Sequence, residues 1–145
     1  MRLPVVFAAA LALAAPAAAD VTRVELPTGK KVMLDNAYRK NNQIRIFAQS
    51  SRDTFPTEVM QAAVVHMAEM TQAKNLPRFA VVKISDCGQM RMYGVAVNSQ
   101  CRLIGQMLAE GETARPEGKY EMTYFRVSDV LGGNLRPEAG PATGF

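Results

Sequence analysis

The chain has a single histidine and only two cysteines, and it lacks the sequence patterns that announce an active site. His66 is the one side chain with an ordinary pKa near neutrality, so a general base would have to be His66 or a carboxylate. No serine carries the flanking glycines of a nucleophile elbow, and no motif sets two carboxylates apart as acid and base. Cys87 and Cys101 are spaced neither as a redox Cys-x-x-Cys pair nor as paired zinc ligands. These absences argue against an enzyme and leave a small hydrolase built on His66 as the catalytic alternative. Internal repeats and low-complexity stretches are missing as well.

An excess of one charge is also missing. Seventeen Lys and Arg face thirteen Asp and Glu, a balance too mild to argue for a nucleic-acid partner. The distribution is less even: Arg23, Lys30, Lys31, Arg39, Lys40, Arg45 and Arg52 outnumber Glu25 and Asp35, whereas Glu110, Glu112, Glu117 and Glu121 cluster late. Such a basic face is ordinarily a solvated strand face, although it can also meet anionic lipid, glycan or cell-wall polymer.

What the chain does have begins at Met1. Residues 1–19 combine Arg2, an apolar run from Leu3 to Ala15, Pro16, and small residues up to Asp20. That order is the one of a cleavable secretory signal, with Ala17 and Ala19 in the positions a signal peptidase reads and the cut after Ala19. The run is short and alanine-rich for a membrane span of about 20 residues. Asp20 stands where a lipid anchor needs cysteine. The expectation is a soluble periplasmic protein with no stable membrane anchor.

Export changes the meaning of the cysteines. An even pair in an oxidising compartment reads as a disulfide, Cys87 to Cys101, closing a loop worth roughly 3 kcal/mol on the chain-entropy account. Residues 20–131 are long enough for one domain. A hairpin is expected over Val21–Leu26 and Lys31–Leu34 around Pro27-Thr28-Gly29, then a loop from Asp35 to Asn42. Gln43 to Gln49 alternates as a strand. A helix from Pro56 to Lys74 carries Val59, Ala63, Met67 and Met70 opposite Glu58, Gln61, Glu69 and Gln72, with Thr54 or Thr57 to cap it and Pro77 to stop it.

Further on, Arg78 to Ser85 is apolar on both faces at Phe79 to Val82, the pattern of a central strand. Asp86-Cys87-Gly88 and Asn98-Ser99-Gln100 read as turns around a strand from Met90 to Val97, and Cys101 to Leu108 follows. Gly94 and Gly105 fall inside strands, which points to a bulge or to close packing against the helix. A strand over Lys119–Phe125 and a short helix over Val127–Leu131 complete the domain, with a disordered tail from Gly132 onward. The expected class is α+β: two layers, one long amphipathic helix on a mixed or antiparallel sheet of about five to six strands.

Eight methionines remain after the signal, and thioether with imidazole is a ligand set for cuprous copper. His66, Met67 and Met70 lie at helical spacing, and Met90 with Met92 share a strand face. If that strand ran beneath the helix, all five would converge on a metal; otherwise they are core packing.

The stretches QIRIFAQS, EVMQAAVVHMAEMTQAKNLPRFAVVKI and RLIGQMLAEGETARPEGKYEMTYFRVSDVLGGNL resemble a family of small bacterial envelope proteins, many lipid-anchored, with no assigned activity. The matching positions are Ala62, Ala63, Glu69, Phe79, Val81, Val82, Gly111, Glu112 and Pro116. The chain departs from the family in lacking the lipobox cysteine, in Asn75-Leu76-Pro77 where a glycine turn is usual, and in a short connection between strands. The resemblance implies no catalytic residues. It fits a protein that binds or supports another envelope protein or a cell-wall component, needs no cofactor and performs no chemistry of its own.

Overall fold

The computed structural model describes residues 20–138. The expected export signal, residues 1–19, and residues 139–145 lie outside that range. Within it the elements are β1 (Asp20–Glu25), β2 (Lys31–Tyr38), β3 (Gln43–Ser51), α1 (Pro56–Ala73), β4 (Arg78–Met92), β5 (Val95–Leu108), β6 (Thr123–Arg126) and α2 (Val127–Leu131). The strands form one sheet in the order β1-β2-β3-β5-β4-β6, and every neighbouring pair is antiparallel.

This overturns the α+β expectation. The molecule is mainly β, with helices of only 18 and 5 residues against strands that reach 15 and 14. Nor is α1 the long amphipathic helix expected, because it buries Ala62, Ala63 and Val64 as well as His66, Met67 and Ala68. So wide a buried arc faces both the sheet and α2, whose Val127 and Val130 join the same core. The sheet is not mixed either: β3 and β4 run the same way, but β5 lies between them and opposes both.

The weight moved to strand because two polar tripeptides are not turns. Asp86-Cys87-Gly88 lies inside β4, where the register shifts from Ser85 opposite Arg102 to Gly88 opposite Gln100. Asn98-Ser99-Gln100 lies inside β5, paired to Ser51, Ser50 and Gln49 of β3. The chain reverses instead at Tyr93-Gly94, with φ of 53° and 80°. Left-handed backbone at both central positions is the two-residue hairpin turn whose twist suits antiparallel strands.

Elsewhere local chemistry explains the elements. Val32, Leu34 and Asn36 of β2 alternate inward, and so do Ile44, Ile46 and Ala48 of β3. Strand β2 therefore continues through Asp35–Tyr38, where a loop was expected, because the inward Asn36 finds a buried partner on α1. Asn41 and Asn42 turn the chain with φ of 62° and 57°, a backbone asparagine tolerates better than most residues. Helix α1 is capped at Phe55 rather than by Thr54 or Thr57, with Glu58 accepting from the Phe55 amide at 3.1 Å. Thr54 is buried, and its hydroxyl bonds to Ser50 and Ser51.

One core fills the space between α1 and the sheet and includes Phe79, Val81 and Leu103. On the other face Ala80, Val82 and Leu108 pack with Ala114 and Met122, so the loop after β5 explains why β4 is apolar on both sides there. Residues 132–138, placed in the tail by the sequence, are held against the fold. The Glu138 amide donates to the Tyr124 carbonyl at 2.7 Å, and its carboxylate grips Arg78 with contacts of 2.9 and 3.0 Å.

Candidate functional site

Each residue singled out by its chemistry has a definite place. Cys87 and Cys101 are disulfide-bonded, and the bulge in β4 sets Cys87 opposite Cys101 on β5. Cys101 is wholly buried while Cys87 is exposed, so the bond fixes the bulge of β4 to the interior strand.

His66 is 8 % exposed. Its Nε2 lies 2.9 Å from Nδ2 of Asn36, and since the amide N–H donates, the ring accepts there and is neutral, with its proton on Nδ1 toward Glu69 at 3.9 Å. Burial pushes the imidazole pKa down, and the Glu69 carboxylate opposes that in part. A buried ring whose basic nitrogen is occupied by an amide has no access to a substrate. The hydrolase alternative, which required an exposed His66 beside a carboxylate or hydroxyl, gains no support.

The five proposed copper ligands do not converge. Met67 is fully buried over β5, and Met70 packs at the edge of the same core. Met90 and Met92 stand exposed near the far end of β4 and belong to neither core. The strand that carries them runs out beyond the helix instead of under it, because β4 and β5 continue past the disulfide as a free hairpin.

A cleft of about 530 Å³ is lined by Arg78, Glu112, Tyr124 and Glu138 among others. The Arg78 and Glu138 charges in it are occupied with one another. Arg78 binds Glu138 and donates to the Glu112 carbonyl at 2.9 Å, and its guanidinium lies 5.3 Å from the centre of the Tyr124 ring. Arg126 hydrogen-bonds Glu110 and holds that carboxyl below its ordinary pKa. This is a brace between β4, β6 and the C-terminal segment.

The feature without an internal purpose is the hairpin beyond the disulfide. Strand β3 covers β5 only from Asn98 onward, and β6 covers β4 only from Arg78 to Val81. The remaining arm presents Met90, Met92, Tyr93, Val95 and Val97 to solvent, with Met92 56 % and Tyr93 100 % exposed. Met92 pairs with Val95 beside the turn, and Arg91 donates to the Gly94 carbonyl at 3.1 Å, bracing the tip. At the root the Ser99 hydroxyl donates to the Thr54 carbonyl, which brings the exposed Phe55 to the same end of the molecule. No known protein family, curated protein or solved structure matches this chain. The arm must therefore be interpreted from its own chemistry.

That chemistry is unusual for a hairpin tip. A two-residue turn of this kind ordinarily takes Asn or Asp before Gly; here a bulky aromatic occupies the left-handed position, where it carries a steric penalty. Nothing packs on Tyr93 to offset that penalty. Sequence inspection missed Tyr93 and Phe55. The one available signal was Gly94, the only residue between Met90 and Val97 suited to positive φ.

Proposed function

We propose that this is an exported, non-enzymatic protein of the bacterial cell envelope that docks onto another envelope component through the β4–β5 arm. The observation that supports it is the fully exposed Tyr93, held at the tip of a disulfide-rooted hairpin among four exposed apolar side chains. Large apolar side chains exposed together on one projecting element mark an interaction site, and a rigid aromatic is a side chain that gains much from being covered. The secretory pattern of residues 1–19 and the resemblance to small envelope proteins supply the compartment, where the disulfide persists.

Site-specific crosslinking tests the role. A photoreactive phenylalanine analogue at position 93, in the full chain expressed with its signal, is compared with the same analogue at Asn75, exposed at the opposite end of α1. Adducts confined to position 93 are expected. Adducts equal at both positions, or absent from both, would overturn the docking role. N-terminal sequencing of the same protein checks export, which predicts a chain starting at Asp20.

A further inference from the structure

We infer that the occupant of the arm is an anionic bilayer surface, into which the tip inserts as a shallow wedge. This takes the docking role proposed above as its starting point and names its partner.

The shape is convex. Tyr93 lies at the extremity, fully exposed with nothing against it. A bilayer accepts such a tip without needing a complementary cavity. Interfacial insertion reaches about 5–10 Å, which at about 3.3 Å per residue takes in two to three residues of each strand. That depth contains Met92, Tyr93 and Val95, with Met90 and Val97 at the boundary. Tyrosine is enriched at the membrane–water interface, where an amphipathic ring meets both acyl chains and headgroups.

The charges complement an anionic surface. From Cys87 to Ala109 the chain carries Arg91 and Arg102 and no carboxylate. At the arm's root Asp86 is paired with Arg102 at 3.3 Å, Asp53 is paired with Lys30 at 3.8 Å, and Glu58 is turned back onto the Phe55 amide that begins α1. Arg52, whose carbonyl accepts from Gln89 at 2.9 Å, and Arg91 form no ion pair among the described residues. Both are exposed: Arg52 stands at the arm's root, and the Arg91 guanidinium, held at the Gly94 carbonyl, would swing away from the tip to meet lipid phosphates.

The absence of tryptophan from the chain supplies the probe. In the full oxidised mature chain, Tyr93→Trp creates a single-tryptophan reporter at a position with no packing contacts to disturb. With vesicles of equal parts phosphatidylglycerol and phosphatidylcholine, its emission should shift to the blue and be quenched by brominated acyl chains. Binding should weaken as salt rises. Arg91→Gln in the reporter background should lower partitioning about fivefold, the loss of one cation near an anionic surface. Equal binding to pure phosphatidylcholine overturns the charge-selective contact. A blue shift that grows with protein concentration without vesicles assigns the arm to a second copy of the chain and overturns it too. No shift with either vesicle also overturns it, while adducts confined to position 93 in the crosslinking comparison would leave the docking role standing.

Discussion

Met67 lies directly over Gly105: a Cβ on that glycine would sit 2.7 Å from the methionine sulfur and 2.8 Å from its methyl carbon. The glycine thus sets how closely α1 approaches β5, the strand at the middle of the fold. Gly105→Ala should destabilise the protein by about 1 kcal/mol, the low end of overpacking because the displaced atoms end a flexible side chain. In a Met67→Ala background the same substitution enters a cavity, and its effect should vanish or reverse. Urea denaturation of the four proteins gives the coupling, and additive effects would refute the contact.

The disulfide should be present in the exported protein, with intact mass rising by two hydrogens on reduction. Its removal should cost about 3 kcal/mol for a bond closing a sequence separation of 14 residues. Cys101→Ala is the better probe than serine, which would bury a hydroxyl in a site with no exposure. Thermal melts with and without reductant provide the comparison, and superimposable melts would show that the bond is not a staple.

Acid should weaken the fold through His66. Its ordinary pKa of 6.5 is lowered in the folded protein by burial, so between the folded and unfolded values the unfolded chain holds more protons and stability rises with pH. The contribution of the neutral ring is complete above pH 6.5 and is lost as the pH falls below it. Protonation also places an N–H against the Asn36 amide N–H, and turning that amide would offer its oxygen, which has no partner now. Melts across this range should show a decline that His66→Gln flattens.

The Arg78–Glu138 pair should anchor the C-terminal segment, since both side chains are largely buried and the contact is bidentate. Glu138→Ala should cost about 2 kcal/mol, the scale of hydrogen bonds to charged groups left unmade. Arg78→Lys should recover only part of the pairing because an ammonium lacks the planar fork. Limited proteolysis would report the release of residues 132–138 independently of global stability.

Much of the fold was readable where burial follows sequence period. Alternation located β3, Pro56 and Pro77 bracketed the first helix, and Val127–Leu131 is helical as its pattern implied. The errors arose where a distant partner decides. Asn36 looks like loop until His66, thirty residues away, makes it an inward strand residue. Asp86-Cys87-Gly88 has turn chemistry, yet the disulfide and the pairing with β5 hold it as a bulge. Glu138 belongs to a proline- and glycine-bearing segment that Arg78 keeps in place. The arm was illegible because Tyr-Gly is not a habitual turn pair, so Gly94 looked like part of a strand.

The position of β5 also constrains how the protein can acquire its structure. Residues 20–51 can form their three-stranded meander locally, but the open edge of β3 finds its neighbour only in residues 98–106, up to 63 positions later in the chain. Until then α1 lacks the strand on which Met67 rests. Pairings of such separation slow folding into the millisecond-to-second range, and a bare β3 edge is a template for another copy. Joining the early meander to the late β4–β5 hairpin is what closes the β3 edge, which stays open to another copy until β5 has been made and inserted.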